Sequence, residues 1–349
     1  MAKTQENSKK LFVGFDGCID TLAKAVKSRD SANNTAYFDT IASFGEYLCG
    51  QAGKSCAIEL DILDKKIGGN APLLSMGAAA LGLDVTCLGM FGVPQDEMFS
   101  KMANIQRYSY MEPAAATILE FNDGKVIMAS SVPSAENAWR EVCRATEDGG
   151  GITSIVQNAD ILALLNWSEL AFSQQFWQEV LAILAKSPKK PAERHILFDL
   201  CDCTRKTAEE VVAVLGLIGE FSQYCTTVLS LNSNESQDVG KKIGFTISQN
   251  AENDNNPHKK FMQHLRDTFN INEIVIHTPK CSFAANNVSY HKQPTAYIEK
   301  PLFSTGAGDN FNAAYLYAVA IGLGLQERLA FCNKFVHGYI SMGGYAGLV

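Results

Sequence analysis

The sequence predicts an α/β fold, with helices on both faces of a mainly parallel sheet and a small second sheet. The first observation is that strand-length apolar runs alternate with segments of helical spacing over most of the 349 residues, as parallel sheets with helical crossovers require. The second is a hairpin signal, Asn122-Asp123-Gly124 between two alternating runs, which interrupts that pattern. At about 150 residues per domain, the length predicts one large domain or two smaller ones.

The composition excludes several classes of protein. A net charge of −7 without a basic block argues against a nucleic-acid partner. No apolar run reaches about 18 residues, and the polar, Lys-rich start does not resemble a secretory signal, so we expect neither a membrane span nor export. The ten cysteines lack the paired spacing of a metal site. Together these features predict a reduced, cytoplasmic, soluble protein.

The chain begins with residues 1–10, which we expect to form a disordered lead. Residues 11–15 are apolar and predict a buried strand. Asp16 and Asp20 follow that strand, and the carboxyl end of a strand is where ligands bind in open α/β sheets. Asp20 is the better candidate for holding a sugar hydroxyl, because Asp16 is also explained as a turn residue.

A glycine pair then precedes a helix of small residues, predicted over 73–81. Gly68 and Gly69 allow a ligand to approach the backbone closely, and Asn70 offers both a donor and an acceptor to hydroxyl groups. The hairpin at 115–131 and a strand predicted over 55–63 would form a small sheet that stands apart. Such a lid would exclude water from a site beneath it.

The C-terminal part returns to strand–helix alternation. Strands are predicted over 161–165, 195–200, 227–231 and 273–278, with a further strand pair over 289–297. Asn232 and Glu235 lie at a strand–helix corner, where they could hold a hydrated magnesium ion or only cap a helix. Asn333, in a final helix predicted over 326–342, has an amide that could lie beside a nucleotide base.

The most informative stretch is Ser304–Asn312, which opens an apolar helix predicted over 311–321. Gly306 and Gly308 let the backbone turn with its N–H groups facing one point, and the positive end of the helix faces the same point. That geometry suits a phosphate oxygen. Asp309 beside an anion site is then explained as a general base. The alternative is a plain loop with an N-capping aspartate.

Taken together, these motifs resemble those of the ribokinase-like (PfkB-type) carbohydrate kinases. Gly68–Ala71, followed one helix later by Leu81-Gly82, is similar to the first signature of that family. Ser304–Phe311 resembles the second signature, and Asn232-x-x-Glu235 resembles the magnesium and phosphate motif. The motifs occur in the order of the family, and the resemblance covers about residues 11–345.

The resemblance implies a three-layer α/β/α ribokinase-like core over residues 11–349, with lid strands drawn from about 18–64 and 104–132. It implies transfer of the γ-phosphate of ATP to a sugar or sugar-like alcohol, with Mg²⁺ as cofactor, and pairing of two copies through the lid. The residues implied are Asp309 as base; the amides of Gly306, Ala307 and Gly308 as anion hole; Asp16, Asp20, Gly69 and Asn70 at the substrate; Asn232, Thr278, Lys280, Thr305 and Asn333 at the nucleotide; and Glu235, with Asn232, at magnesium through water.

Three residues depart from the family pattern: Leu73 replaces a common Asn, Phe303 a common Asp, and Lys280 a common Gly. They motivate a second hypothesis, a catalytically inactive relative that binds a sugar or nucleoside on the same scaffold. A dinucleotide-dependent oxidoreductase is disfavoured, because Gly306-x-Gly308 lacks a third glycine at Phe311. Pentose, hexose, sugar acid and nucleoside acceptors all fit, and activation by a monovalent cation stays open.

Overall fold

The computed structural model describes residues 8–130, 137–247, 256–299, 302 and 305–345. The strands in these ranges are β1 (Lys10–Gly14), β2 (Cys18–Arg29), β3 (Thr35–Tyr37), β4 (Leu60–Gly68), β5 (Asp84–Gly89), β6 (Ile105–Ser109), β7 (Ala114–Phe121), β8 (Gly124–Ala129), β9 (Ile161–Leu164), β10 (His195–Asp199), β11 (Thr226–Asn232), β12 (Glu273–His277), β13 (Cys281–Ala285) and β14 (Tyr290–Pro294). The α-helices are α1 (Ile41–Cys49), α2 (Asn70–Leu81), α3 (Ala138–Ala145), α4 (Gly151–Asn158), α5 (Ser173–Leu184), α6 (Ala208–Glu220), α7 (Ser233–Lys242), α8 (Pro257–Phe269), α9 (Ala307–Ala320) and α10 (Leu325–Met342).

The larger sheet of the described residues has nine strands in the order β14-β13-β12-β11-β10-β9-β1-β5-β6. Within this sheet, neighbouring strands pair in parallel from one edge at β6 through β5, β1, β9, β10 and β11 to β12. Strands β13 and β14 then continue the sheet in antiparallel fashion. This topology confirms the predicted α/β fold with a mainly parallel sheet. None of the helices in the described ranges is long and apolar enough to cross a bilayer.

Both faces of the larger sheet are covered by helices, because alternate side chains of its strands point to opposite faces. Phe12 belongs to a hydrophobic cluster with residues of α3, α4, α5, α6 and α8. Its neighbours Leu11 and Val13 belong to a second cluster, with residues of α2, α9 and α10. The central strands β1, β9, β10 and β11 are therefore buried on both faces, and three layers result.

The smaller sheet, called the lid below, contains β2, β3, β4, β7 and β8. The long strand β2 pairs with β4 and β3 in antiparallel fashion and with β7 in parallel. Strands β7 and β8 form the predicted hairpin, with Phe121 opposite Gly124. Helix α1 packs on the lid through a separate small core that contains Phe38, Phe44 and Leu119.

Several predicted boundaries differ from the structure. Strand β2 was not predicted as a separate strand, because its partly exposed face interrupts the apolar pattern, although it lies within residues 18–64, from which the resemblance draws lid strands. Strand β4 begins at Leu60 rather than at residue 55, and the strand pair predicted over 289–297 is the hairpin of β13 and β14. Residues 1–7 of the predicted lead lie outside the described residues, and Lys10 already belongs to β1. The domain boundaries stay a prediction.

Candidate active site

The turn formed by Thr305–Gly308, called the signature turn below, leads directly into α9. Gly306 is the N-cap residue, with φ of +81°, a left-handed conformation that favours glycine. A Cβ atom there would lie 3.1 Å from the Tyr339 hydroxyl and 3.2 Å from Leu73 Cδ1. Among the described residues, none accepts a hydrogen bond from the amides of Ala307 and Gly308, which have no acceptor inside the helix. The first turn of α9 therefore presents free donors.

Asp309 lies in the first turn of α9 and is buried, with 8% of its surface exposed. Its carboxylate accepts a hydrogen bond of 2.9 Å from Asn70 Nδ2. Burial, together with the nearby charges of Asp199 and Asp16, raises the pKa of Asp309 well above its ordinary value. The hydrogen bond between Asn70 and Asp309 joins α2 to α9. The raised pKa makes the carboxylate of Asp309 a stronger base than an exposed one.

Asp199, at the carboxyl end of β10, is a functional candidate to which the sequence analysis gave no role. It accepts hydrogen bonds from the Cys201 amide at 2.9 Å and from Asn312 Nδ2 at 2.8 Å. Burial raises the pKa of Asp199 to about 6. Its position after a buried parallel strand was the available signal, because that sheet edge is where ligands bind. Asp199 therefore adds negative charge near Asp309.

The predicted substrate residues Asp16, Gly69 and Asn70 lie together at the start of α2. The carboxylate of Asp16 accepts hydrogen bonds from the amides of Asn70 and Ala71, both at 2.7 Å, and from Asn166 Nδ2 at 2.8 Å. Burial raises the pKa of Asp16, and these hydrogen bonds lower it. Asp16 thus caps α2 from the connection between β1 and β2, so the helix begins at Asn70 rather than at residue 73.

Asp20 lies apart from that group, on the lid strand β2. It lines a cavity of about 550 Å³ between the lid and the core. The other residues that line this cavity include Lys66, Leu73, Glu120, Lys125, Thr305 and Tyr339. Burial raises the pKa of Asp20, whereas the Cys18 thiol and the charge of Lys125 lower it. The structure therefore places Thr305, a predicted nucleotide residue, at the same cavity as Asp20.

A second cavity, of about 670 Å³, reaches the signature turn at Ala307 and Gly308, whereas the first reaches it at Thr305. Its lining includes Asn232, Thr278, Ala307, Gly308 and Asn333. It thus joins three of the predicted nucleotide residues to the free amides of α9. We call it the outer cavity, and we call the 550 Å³ space the lid cavity.

Polar side chains around the outer cavity are partly engaged by protein groups. Asn333 Nδ2 donates to the carbonyls of Gln293 at 3.3 Å and Pro294 at 3.2 Å, which leaves its oxygen as an acceptor. The Thr278 hydroxyl donates to the Cys281 carbonyl at 2.8 Å. These bonds hold the loop walls of the cavity in place.

Of the residues that depart from the family pattern, Lys280 lies near the outer cavity. Lys280 is exposed, and its ammonium lies 5.9 Å from the centre of the Tyr297 ring, which lines the outer cavity. Phe303 lies outside the described residues. The structure therefore brings Lys280 to the rim of this cavity, not to its lining.

His277 forms an aromatic wall of the outer cavity behind Gly308. Its ring stacks on Phe311 with 4.9 Å between ring centres, and a Cβ atom at Gly308 would lie 3.2 Å from His277 Cε1. Burial lowers the pKa of His277 to about 4. The imidazole is therefore neutral at physiological pH, and it supports the first turn of α9 by packing.

Asn232 and Glu235 form a capping box at the start of α7. Asn232 Oδ1 accepts from the amides of Asn234 at 2.8 Å and Glu235 at 2.9 Å. In return, Glu235 accepts from the Asn232 amide at 2.8 Å and from Asn232 Nδ2 at 2.6 Å. Burial and the charge of Asp199 raise the pKa of Glu235 well above its ordinary value.

The donor set of this corner fits a hydrated magnesium ion better than a directly ligated metal. In the described part of the chain, no three His, Cys, Asp or Glu side chains are grouped around one point. The carboxylate of Glu235 and the amide oxygen of Asn232 are hard oxygen donors, and Mg²⁺ usually keeps several of its waters. An added cation would also offset the repulsion between Glu235 and Asp199.

Comparison with known proteins identifies the family and the fold. The family model described as prokaryotic ketohexokinase matches residues 3–345. A ketohexokinase from Haloferax volcanii is 20% identical over 338 residues, covering 96% of this chain and 87% of the relative.

Two solved structures share the fold over nearly the whole chain. Adenosine kinase from Sinorhizobium meliloti is 16% identical, with a TM-score of 0.67 and coverage of 98% of this chain and 97% of the other. Ribokinase from Thermotoga maritima is also 16% identical, with a TM-score of 0.62 and coverage of 98% and 96%. The predicted ribokinase-like fold is therefore confirmed.

Proposed function

The chain belongs to the prokaryotic ketohexokinase family and is a carbohydrate kinase, and on that premise we propose that it transfers the γ-phosphoryl group of ATP to a hydroxyl of a ketohexose. The observation that carries the mechanism is the position of Asp309. This buried carboxylate lies in the same helical turn as the free amides of Ala307 and Gly308. A base and an anion site are thus held on one rigid element.

The two cavities reach the signature turn at different residues and would hold one reactant each. ATP would occupy the outer cavity, whose lining contains Ala307, Gly308 and the predicted nucleotide residues Asn232, Thr278 and Asn333. The sugar would occupy the lid cavity, with Asp20 at one wall and Thr305 at the other. Phosphoryl transfer needs the attacking and leaving oxygens roughly in line, which the approach of both reactants to one turn allows.

Asp309 would take the proton of the attacking hydroxyl as the new O–P bond forms. Asn70 holds the carboxylate through the bond at 2.9 Å and so fixes its orientation. Since the pKa of Asp309 is raised by burial and then by Asp199, its basicity is closer to that needed at neutral pH. Gly69 brings the backbone near this point, with Asn70 available to a sugar hydroxyl as well.

The amides of Gly306, Ala307 and Gly308 would stabilise the charge on the phosphoryl oxygens. The first turn of α9 adds the positive end of the helix dipole. Mg²⁺, when bound with ATP, supplies charge neutralisation at the phosphates. Asn232 and Glu235 would hold it through water, and the capping box that they form keeps both side chains in place.

The ketohexose assignment is supported by the family and by the lid cavity. The relative from Haloferax volcanii carries the name ketohexokinase. The volume of about 550 Å³ accommodates a hexose, and Asp20 offers an acceptor to its hydroxyls. Leu73 contributes an apolar wall where many ribokinase-like enzymes have an amide, so we expect a hydroxyl pattern different from theirs.

A screen of acceptors tests the proposal. The protein would be incubated with ATP, Mg²⁺ and a panel of ketohexoses, aldohexoses, pentoses, sugar acids and nucleosides, with the phosphorylated product identified by mass spectrometry. We expect phosphorylation of a ketohexose at the highest kcat/KM. Binding of a sugar or nucleoside without turnover of any acceptor would instead favour the inactive-relative hypothesis, to which the comparisons give no support.

We also propose that two copies pair through the lid. Its exposed apolar side chains include Ile62 and Leu63 on β4 and Ile127 and Met128 on β8, with 52%, 48%, 62% and 48% of their surfaces exposed. Exposed apolar side chains that form a patch often mark a surface that binds another protein. Light scattering should give the mass of a dimer, and Ile127→Lys should shift it toward that of a monomer.

A further inference from the structure

We propose that Lys125 of the lid is a positioning residue that ties the lid to the signature turn, so that closure over the sugar also sets the anion hole. Lys125 Nζ donates a hydrogen bond of 3.1 Å to Thr305 Oγ1. Thr305 immediately precedes Gly306, the N-cap of α9. This inference rests on the proposed role of the turn in binding the phosphoryl group.

The lid side of this contact is held firmly. Lys125 is the second residue of β8 and lies opposite Glu120 in the hairpin. The hairpin tip is bound to the region of α1: the Asn122 amide donates to the Asp39 carbonyl at 2.8 Å, and Asp123 accepts from the Ile41 amide at 2.9 Å. A displacement of the lid therefore carries the base of the Lys125 side chain with it.

The core side of the contact is held as well. The Thr305 carbonyl accepts a hydrogen bond of 3.2 Å from the Tyr339 hydroxyl of α10. Thr305 thus receives one hydrogen bond on its side chain from the lid and one on its backbone from the core. A change at Lys125 would alter the position of the residue from which the anion-binding turn begins.

The third part of the argument is the lid cavity itself. Lys125, Asp20 and Thr305 all line it, and the charge of Lys125 acts on Asp20. A sugar in this space would lie between a carboxylate and an ammonium, both of which can bind hydroxyl groups. A flexible, exposed lysine gains little from one neutral partner. Additional contacts to a bound sugar would hold it more firmly at Thr305.

The consequence concerns the competition between water and the sugar hydroxyl for the phosphoryl group. If a bound sugar strengthens the contact between Lys125 and Thr305, the lid is closed during transfer, and the phosphoryl group meets an acceptor hydroxyl and not a water molecule. Loss of the tie should therefore raise the amount of ADP released without sugar phosphate. If Lys125 had only a structural role on the lid surface, its substitution would change neither the ratio of ADP to sugar phosphate nor how well ordered the signature turn is.

The test compares Lys125→Met with Lys24→Met, a matched control that removes a lid lysine whose ammonium lies 5.2 Å from the centre of the Tyr37 ring and does not line the cavity. With the best acceptor of the unaltered protein, we expect Lys125→Met to raise KM for the sugar and lower kcat, each about tenfold for a lost charged hydrogen bond. The ratio of ADP to sugar phosphate should rise. Lys125→Arg should restore much of the coupling, and Lys24→Met should leave all three values unchanged.

Two further measurements make the outcome decisive. In a double-mutant cycle with Thr305→Val, the effects of the two substitutions should not multiply, because both remove the same contact. Hydrogen exchange of the peptide that contains residues 305–309 should be faster in Lys125→Met than in Lys24→Met. Multiplicative effects, an unchanged product ratio or unchanged exchange would overturn the role of Lys125. The exchange result does not depend on turnover, so it stays separate from a failure of the proposed kinase activity.

Discussion

Helices α2 and α9 both begin after a glycine with positive φ, Gly69 at +91° and Gly306 at +81°, and neither start has a capping side chain of its own. At α2, the carboxylate of Asp16 accepts from two amides of the first turn. At α9, no described residue accepts a hydrogen bond from the amides of Ala307 and Gly308. The acidic residue of that turn, Asp309, instead contacts Asn70. Two similar sequence patterns thus give one closed and one open helix terminus, and only the open one suits an anion.

The largest expected effect comes from Asp309→Asn, which keeps the size of the side chain and removes the proposed base. We expect kcat to fall by about 10²–10⁴-fold, the usual contribution of a general base, while the affinity for ATP measured by calorimetry changes little. Asp202→Asn, after the same sheet edge but exposed, is the control. A rate within a few fold of the unaltered protein would show that Asp309 is not the base.

Asp16→Ala tests the closed terminus. The substitution leaves the amides of Asn70 and Ala71 and the Asn166 side chain without their acceptor in a buried site. At about 1–3 kcal/mol for each unsatisfied group, we expect the free energy of unfolding in urea to fall by at least about 3 kcal/mol. Unchanged stability would mean that the start of α2 does not depend on Asp16.

Gly306→Ala tests the open terminus. A left-handed alanine costs roughly 1–2 kcal/mol, and its Cβ atom would approach the Tyr339 hydroxyl at 3.1 Å. We expect kcat/KM for ATP to fall by about tenfold, the factor that corresponds to about 1.4 kcal/mol. Gly53→Ala is a matched control, because Gly53 also has positive φ, +77°, but has open space around it and lies away from both cavities. Gly53→Ala should lower the free energy of unfolding without changing kcat/KM for ATP. Equal losses of kcat/KM in both variants would contradict the role of the turn.

The smallest expected effect concerns pH. After burial itself, the charge of Asp199 is the largest contributor to the raised pKa of Asp309. Asp199→Asn removes that negative charge, so Asp309 should lose its proton more readily and its pKa should fall. Because the base must be unprotonated, the acidic limb of the kcat/KM profile should move to lower pH. The limb should not move in Asp202→Asn; a shift of the Asp199→Asn profile to higher pH would contradict the assignment.

The parts of the molecule that the sequence predicted best are local ones. The signature turn, the hairpin at Asn122-Asp123-Gly124 and the apolar strands of the larger sheet each depend on residues close together in the chain. Their physical causes, such as positive φ at glycine or burial on both faces of a sheet, leave a direct pattern in the sequence.

The relations that escaped prediction join distant residues. Asn70 and Asp309 are 239 positions apart, and Asp16 and Asn70 are 54 apart. Asp16 and Asp199 each stand at or just after the end of an apolar strand, which places them at the ligand-binding edge of the sheet. That sequence position does not show which helix terminus each residue faces. For that reason the cap formed by Asp16, the charge of Asp199 near Asp309 and the contact of Lys125 with Thr305 appear only in three dimensions.

The hydrogen bonds that the amides of Asn70 and Ala71 donate to Asp16 also bear on how this chain can change in evolution. They join the two ends of the excursion that leaves the core at residue 17 and returns at residue 69, where Cys18 pairs with Gly68. Segments whose ends lie close together can be lengthened, shortened or exchanged at modest entropic cost. The part of the protein that we propose meets the sugar can therefore be remodelled while the root of the excursion stays where it is.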